Sequence, residues 1–369
     1  MNYFKSLKLE NFRNFLNFKT EFTPGCNVLY GDNGTGKTNI LESISLFEKG
    51  KGFRKENLNN LVNFKSNIKN FNIESTFKKQ NDEISLKIFN QHNNKNSIKK
   101  ILVNESSSKE SVNYLDDLFS LIYFLPEMER LFIKSPSIRR NFLDTLILSI
   151  DKNYNKIITN YKKLIFERNK ILKKNNYDSD WITNIEKNIV DLGIKIYQER
   201  YEQISLINSN LIKLENLKKS FYKINFSIYD ELLISKNGEF NLLYEEYLNK
   251  LKHSRNLDAI IGGCKYGPHK SDIVGYKTDD NFNINQLSTG QQKTVVLLII
   301  IAQCKFMINE LNKNPIIIFD EVCSHLDTHN RTLLLDLIEL LNVQIFMSGT
   351  EKKFFSFLST NTTYCNIDS

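Results

Sequence analysis

The sequence lacks the cysteine pattern of a disulfide framework or of a zinc site. Its five cysteines are scattered, and no two of them form a C-x-x-C pair: Cys26, Cys264, Cys304, Cys323 and Cys365. An odd number of isolated thiols is typical of a protein whose cysteines stay reduced. We therefore expect a cytoplasmic protein without structural disulfides or bound zinc.

Export and membrane signals are missing as well. The first residues contain no basic segment followed by an apolar one, so we expect no secretory signal. The longest apolar run, residues 295–302, is much shorter than the roughly 20 residues that cross a bilayer. We expect this run to be a buried helix, and we expect no membrane partner.

A strong charge of one sign is also absent. Lys and Arg number 50 against 42 Asp and Glu, which gives a formal net charge of +8. Such a surplus suits a polyanionic partner such as nucleic acid, but it also occurs in proteins that use charge only to stay in solution. The net charge leaves both interpretations open.

The two ends of the chain have the pattern of an α/β protein. Strands are predicted within residues 4–29 and 71–103, with residues 91–100 as a loose hairpin tip. Near the other end, helices over 294–308 and 331–341 alternate with strands over 315–319 and 343–347, the latter being the last strand. This alternation predicts a parallel sheet covered by helices.

The middle of the chain has helical periodicity instead. Apolar residues recur at spacings of three and four through 157–172 and again through 182–196, which predicts an antiparallel helical hairpin. An intermolecular coiled coil is disfavoured because the series lasts only a few heptads. We expect an α/β fold with a parallel-sheet core and an antiparallel strand subdomain in residues 1–110 and 255–369. A helical lobe is inserted at 111–254.

A glycine-rich loop carries the strongest chemical signal. Eight consecutive residues fit G-x-x-x-x-G-K-[ST] between a predicted strand and a predicted helix: Gly31, Asp32, Asn33, Gly34, Thr35, Gly36, Lys37 and Thr38. The glycines allow backbone N–H groups to face phosphates, and the helix N-terminus adds a favourable dipole. Lys37 can contact the β- and γ-phosphates, and the Thr38 hydroxyl can bind Mg²⁺. We expect a nucleoside triphosphate site for ATP with Mg²⁺.

Two adjacent carboxylates end a buried strand later in the chain. Asp320 and Glu321 follow four apolar residues, and a desolvated charge needs a partner. Asp320 is a candidate to hold the Mg²⁺, and Glu321 is a candidate to polarise the attacking water. The alternative is an acidic pair that merely ends a strand. The preceding glycine-rich loop, residues 31–38 and called the P-loop below, disfavours this alternative.

A hydroxyl-rich helix start precedes that strand. Its residues offer free backbone N–H groups to an anion and are Ser288, Thr289, Gly290 and Gln291. Ser and Gly at a helix start usually act only as a cap. The P-loop before this segment and the acidic pair after it favour its interpretation as a nucleotide contact.

The P-loop, the helix start at residues 288–291 and the acidic strand together resemble the head domain of ABC and SMC-type ATPases. In those proteins the segment that corresponds to residues 288–291 is called the signature. Residues 324–327 resemble the D-loop of those proteins. A narrower resemblance is to the RecF family of bacterial recombination mediators. It rests on segments spread over nearly the whole chain: residues 9–14, 125–127, 139–144, 266–272, 287–293 and 344–350.

The resemblance implies an ATP-dependent homodimer in which the signature of one subunit closes on the nucleotide of the other. It implies DNA binding. Because the sequence contains no visible base-reading motif, we expect binding without sequence specificity, at junctions of single and double strands or on duplex. The resemblance further implies action with RecO and RecR to load the recombinase at gaps and stalled forks, and slow ATP hydrolysis that releases the clamp. The associated processes are recombination, DNA repair, replication and the SOS response.

Other functional classes fit less well. A transporter ATPase is disfavoured because Thr350 stands where such proteins carry a switch histidine and because a whole lobe separates P-loop and signature. A long-armed chromosome-organising ATPase would need a longer arm with a cysteine hook. Glu321 beside Asp320 argues against a scaffold that binds nucleotide without hydrolysing it.

The DNA-contacting surface is left open by the sequence. Two basic groups lie near aromatic residues, and they comprise Lys49, Lys51, Arg54, Lys55, Lys134, Arg139 and Arg140. Either they contact phosphates or they form an ordinary solvated face. His269 and Lys270 lie in one of the family-like segments, where a role near the dimer or DNA face is conceivable.

Overall fold

The computed structural model describes residues 2–93, 96–174, 177–217, 223–233, 240–324, 328–339, 341–358 and 361–368. The strands are β1 (Tyr3–Phe12), β2 (Phe15–Glu21), β3 (Cys26–Tyr30), β4 (Asn72–Lys79), β5 (Asp82–Asn93), β6 (Asn96–Val103), β7 (Ser120–Phe124), β8 (Ile224–Tyr229), β9 (Asp272–Lys277), β10 (Pro315–Phe319), β11 (Ile345–Gly349) and β12 (Thr363–Asn366). The helices are α1 (Lys37–Ser45), α2 (Lys109–Leu118), α3 (Pro136–Ile150), α4 (Tyr154–Leu172), α5 (Ser179–Leu217), α6 (Leu243–His253), α7 (Arg255–Ile261), α8 (Thr289–Asn309) and α9 (Thr328–Glu339).

The chain forms two compact units, and both chain ends belong to the first. The first unit comprises Met1–Glu129 and Val296–Ser369, and the second comprises Arg130–Val295. We expected the boundaries at 110/111 and 254/255. The first boundary lies later because β7 pairs with β10. The second lies inside α8, and β9 pairs with β8 within the second unit.

A parallel sheet organises the first unit, in the order β12-β3-β11-β10-β7. β3, β10 and β11 are buried through most of their length, as strands covered on both faces must be. Because β11 lies between β3 and β10, the carboxyl ends of these three strands meet at one edge. Strand β11 was predicted as the last strand, which is wrong, since β12 follows and pairs with β3.

An antiparallel sheet in the order β2-β1-β4-β5-β6 completes the first unit. Helix α1 packs in a core that both sheets share, with Ile40, Leu41 and Ile44 fully buried. The loose tip predicted for residues 91–100 is wrong for the described part of it. Strands β5 and β6 remain paired as far as Asn93 and Asn96. Backbone hydrogen bonds hold the two strands together there, although the sequence is polar. Residues 94 and 95 lie outside the described part.

The predicted helical hairpin is present in the second unit as α4 packed on α5. Helix α5 extends well beyond the predicted series, to Leu217. Arg168 occupies an apolar position of the α4 pattern and is fully buried there. Its guanidinium bonds to Glu186 at 3.0 Å and to Asp258 at 2.7 Å, so a paired charge joins α4, α5 and α7.

Helix α8 contains the long apolar run. By length and composition alone this helix could cross a membrane, but 78% of its most apolar 18-residue stretch is buried within the protein. A core helix has the same composition, so this feature is weak evidence for a span. Among the described residues no other helix has that combination of length and composition.

Candidate nucleotide site

The glycine-rich loop joins β3 to α1 in a conformation that depends on its glycines. Gly31 and Gly36 have φ angles of 148° and 110°, which L-residues rarely adopt. A Cβ at Gly36 would lie 2.5 Å from the Asn14 amide nitrogen and 2.6 Å from the Phe15 ring. The loop can therefore bring its backbone close to a ligand only with glycine at these positions.

Lys37 is buried at the start of α1, with a relative exposure of 5%. Its ammonium donates hydrogen bonds to the carbonyl oxygens of Gly31 at 2.7 Å and Asp32 at 2.6 Å. Burial lowers the pKa of Lys37, while the nearby carboxylates of Glu321, Asp320 and Asp32 act in the opposite direction. The structure thus places a cation beneath the loop, within the cradle formed by its backbone.

Asp320 and Thr38 come together at the carboxyl edge of the sheet. The Thr38 hydroxyl donates to Asp320 Oδ1 at 3.0 Å, and the Ser348 hydroxyl donates to the same oxygen at 2.6 Å. Burial raises the pKa of Asp320, and the two hydroxyl groups oppose that rise by stabilising the carboxylate. Ser348 was not predicted as a site residue. Its position at the end of β11, between β3 and β10, is the signal that could have identified it.

Glu321 has a strained backbone that Ser348 helps to hold. Its φ angle is 52°, in the left-handed region that glutamate rarely adopts. The backbone N–H of Glu321 donates to Ser348 Oγ at 2.9 Å, and its carbonyl accepts from the Ser324 N–H at 3.1 Å. Strain of this kind recurs at functional sites, where surrounding contacts fix it.

Residues of the glycine-rich loop, of the segment that follows β10 and of the end of β11 line a cleft of about 660 Å³. Of the predicted site residues it contains Asn33, Gly34, Gly36, Lys37, Thr38 and Glu321. Thr350 and Ser324 line it too, together with Arg54, Arg331 and Phe354, which were not predicted as nucleotide contacts. Asp320 lies 3% exposed behind Thr38, and Thr35 bonds back to the Asp32 carbonyl, so both support the wall of the cleft.

A cation and a polyphosphate fit this arrangement together. Among the described residues no group of three His, Cys, Asp or Glu side chains could hold a metal ion alone. Thr38 and Asp320 instead offer two oxygen atoms, and Mg²⁺ is usually held by one or two such ligands plus phosphate oxygens. The donor set is that of a metal–nucleotide site rather than of a closed metal cage.

Two residues of the segment 9–14 support the loop from the antiparallel sheet. Asn14 donates from its amide to the Thr35 carbonyl at 2.7 Å and accepts from Asn39 at 2.8 Å. Arg13 forms a two-pronged ion pair with the fully buried Glu42 of α1, at 2.9 and 2.8 Å. In sequence this segment is one of the family-like stretches, with no role predicted for its side chains. Its side chains buttress the P-loop and its helix.

We predict that Asn14→Ala weakens nucleotide binding about fivefold. Loss of one net hydrogen bond of about 1 kcal/mol leaves the Thr35 carbonyl without this support, so the loop samples more conformations. Titration with ATP measures the change. Asn17→Ala, at an exposed position of β2, is the matched control and should leave the affinity unchanged. Equal affinities for Asn14→Ala and wild type would contradict the supporting role.

The signature residues form a reciprocal helix cap in the second unit. The Ser288 N–H donates to Gln291 Oε1 at 3.0 Å, and the Gln291 N–H donates to Ser288 Oγ at 3.4 Å. Helix α8 therefore begins at Thr289, five residues before the predicted start. Ser288 and Thr289 are exposed, and Gly290 is partly so. Of the predicted D-loop, Ser324 is described, and residues 325–327 lie outside the described part.

Three of the cations that the sequence left open as DNA contacts are engaged by partners within the protein. Lys49 pairs with Asp116 at 2.5 Å, Arg139 with Asp272 at 2.6 Å, and Arg140 donates to the Ser271 carbonyl at 2.5 Å. These contacts favour structural roles over phosphate binding for the three residues.

His269, a further candidate for the dimer or DNA face, is also engaged internally. Its ring contacts the Tyr161 hydroxyl at 2.7 Å and the Cys264 carbonyl at 2.8 Å. Burial lowers its pKa to about 4, so the ring is neutral at physiological pH. The histidine serves the packing of the second unit.

Comparison with known proteins identifies related sequences over nearly the whole chain. The family model described as RecF/RecN/SMC N terminal domain matches residues 3–366. The DNA replication and repair protein RecF of Rickettsia massiliae is 33% identical, over 94% of this chain and 93% of that protein. Its counterpart from Agrobacterium fabrum is 30% identical, over 98% and 96%.

Solved structures give the same grouping. The recombination mediator protein RecF with ATP, in the RecFOR pathway, superposes with a TM-score of 0.80 at 26% identity and covers 100% of this chain and 98% of that one. The RecF-ATPrS structure gives 0.82 at 25% identity, covering 99% and 96%. An SMC head bound to the C-terminal winged-helix domain of ScpA shares the fold, with a TM-score of 0.56 at 16% identity over 96% and 91%.

Proposed function

Since the chain belongs to the RecF family of DNA replication and repair proteins, we propose that it is an ATP-dependent DNA clamp of recombinational repair. In this proposal ATP closes two copies of the chain on DNA, and slow hydrolysis opens them. The observation that carries the proposal is the convergence of Thr38, Asp320 and Ser348 beside the P-loop, since it supports a site for a metal-bound triphosphate.

The cleft supports a division of roles among its residues. Backbone N–H groups of the loop and the N-terminus of α1 bind phosphate oxygens, and Lys37 neutralises their charge. Thr38 and Asp320 would hold Mg²⁺, which screens the phosphates and orients the terminal one. Glu321 lines the same cleft, where its carboxylate can accept a proton from the attacking water.

A second cleft of about 810 Å³ shares Asn39 with the first. Arg13 and Asn14 line it too, and Phe64 presents an aromatic ring that is 80% exposed. An exposed aromatic ring can stack on a base, and neighbouring amide side chains can hydrogen-bond to the edge of that base. We propose that the nucleoside part of ATP extends into this cleft.

The signature supports the dimeric part of the proposal. Ser288 and Thr289 are exposed at a helix N-terminus, where N–H groups and the dipole attract an anion. In a two-fold dimer each copy would place its signature on the nucleotide held by the other. ATP would then join the two copies, and loss of the terminal phosphate would loosen the joint.

The finer parts of the function follow the family expectation. We propose binding to DNA by its backbone or shape at gaps and junctions, action together with RecO and RecR in recombinase loading, and a cytoplasmic location. No base-reading motif was found in the sequence, which supports recognition without sequence specificity.

One experiment tests the clamp directly. Sedimentation velocity and retention of gapped DNA are measured with ATP, with ADP and without nucleotide. We expect a dimer and the strongest DNA retention with ATP only. A mass and a DNA affinity that are the same in all three conditions would contradict the proposal.

We predict that Ser288→Arg abolishes the ATP-induced dimer and leaves ATP binding to the monomer within about twofold. A large cation at the exposed cap would obstruct closure of the second copy, because it replaces a small hydroxyl at a packed contact. The matched control is Ser205→Arg, at an exposed position of α5 in the same unit. Loss of monomer ATP binding together with the dimer would mean that the signature serves its own subunit.

A further inference from the structure

A cation outside the predicted motifs lines the nucleotide cleft. Arg331 lies near the start of α9 and borders the cleft together with Lys37, Thr38 and Glu321. Its Nε atom is buried and has no hydrogen-bond partner among the described residues. A buried N–H without an acceptor is costly. On a residue that lines a cleft, such a donor is available to an acceptor on a ligand.

The guanidinium is held by an aromatic ring. Arg331 lies over Phe354 at 5.2 Å from the ring centroid, and Phe354 lines the cleft as well. A cation over an aromatic face is attracted by the ring, and the N–H groups of a guanidinium, which lie in its own plane, can still bond to a ligand. The pair therefore presents a positioned cation rather than a mobile one.

The segment that carries Phe354 is tied to the P-loop. The Gly31 N–H donates to the Thr350 carbonyl at 3.3 Å, at the end of β11. The short helix Lys352–Phe355 follows, and its Phe355 is fully buried. Phe355 packs so closely on Gly349 that a Cβ there would lie 2.6 Å from its ring. The backbone that carries Phe354 is thereby fixed relative to the loop.

We propose that Arg331, oriented by Phe354, binds the terminal phosphate of the bound nucleotide and makes the cleft distinguish a nucleoside triphosphate from a diphosphate. This rests on the proposed nucleotide function. The planar guanidinium matches two phosphate oxygens at once. Glu321, the candidate to polarise the attacking water, lines the same cleft. A diphosphate lacks the group that Arg331 would contact.

The test compares affinities for a slowly hydrolysed ATP analogue and for ADP, both with Mg²⁺, by calorimetric titration. Arg331→Gln should weaken triphosphate binding about tenfold, as expected for one charge-assisted contact, and ADP binding less than about twofold. Arg331→Lys keeps the charge and should recover part of the loss. Phe354→Ala should reduce the same selectivity without removing the cation.

Lys353→Ala is the matched control. Its ammonium lies 5.4 Å from the same ring, but its side chain is 70% exposed and does not line the cleft, so both affinities should remain those of the wild type. Equal losses for both nucleotides in Arg331→Gln and Phe354→Ala, or no loss in either variant, would overturn the role of Arg331. Wild-type protein that binds neither nucleotide would instead overturn the proposed function.

Discussion

Lys37→Met should weaken ATP binding strongly, and so prevent the ATP-dependent dimer and DNA retention at an ATP concentration that just saturates the wild type. In the structure the ammonium is buried beneath the loop and bonds to the carbonyls of Gly31 and Asp32. When phosphates are bound, a charge-assisted contact of about 2 to 3 kcal/mol would be lost, which corresponds to roughly 30- to 150-fold in affinity. Equilibrium titration with ATP measures this change.

The fold should survive this substitution, because methionine retains the apolar length of the side chain. The melting temperature without nucleotide should therefore stay close to that of the wild type. Lys19→Met, on the antiparallel sheet, is the matched control and should bind ATP normally. An affinity of Lys37→Met within about threefold of the wild type would show that this cation does not contact phosphate.

The parts of the site that could be predicted are those whose residues are contiguous. Gly31 to Thr38 and the pair Asp320–Glu321 are local patterns, and the structure brings them together at one edge of the parallel sheet. Ser348 could not be predicted in the same way, because only the position of β11 between β3 and β10 brings it to Asp320. The support from Asn14 and Arg13 depends on how the antiparallel sheet packs on α1. The functional roles of these residues stay predictions.

The fold class was predicted correctly, and the missed strands have physical explanations. β7 has only five residues and lies in the part of the chain assigned to the helical lobe, 111–254, so it gave no separate signal. β12 is an edge strand of four residues with mixed polarity, so its sequence carries no clear strand pattern. Its hydrogen bonds to β3 stabilise the strand instead. The buried ion pairs of Arg168 could not be predicted from the α4 pattern, because its partners Glu186 and Asp258 lie 18 and 90 residues away in the sequence.

Glu321→Gln should slow ATP hydrolysis by about 10² to 10⁴ while ATP affinity stays within a few-fold of the wild type. The amide has the size of the carboxylate but cannot accept a proton from water, and general-base catalysis accounts for a factor of this order. The strained backbone at φ 52° is unaffected, because the bond from its N–H to Ser348 involves no side-chain atom of residue 321. Hydrolysis is followed by phosphate release.

The same variant separates closing of the clamp from its release. If hydrolysis opens the dimer, Glu321→Gln should remain dimeric and DNA-bound in ATP long after the wild type has dissociated, as sedimentation and DNA retention would show. Asp320→Asn is the informative comparison. Asp320 bonds to Thr38 and would hold the proposed Mg²⁺, so this change should impair ATP binding itself. A Glu321→Gln protein that hydrolyses ATP at the wild-type rate would assign the proton transfer to another group. A Glu321→Gln protein that binds ATP but stays monomeric would show that bound triphosphate is not sufficient to close the dimer.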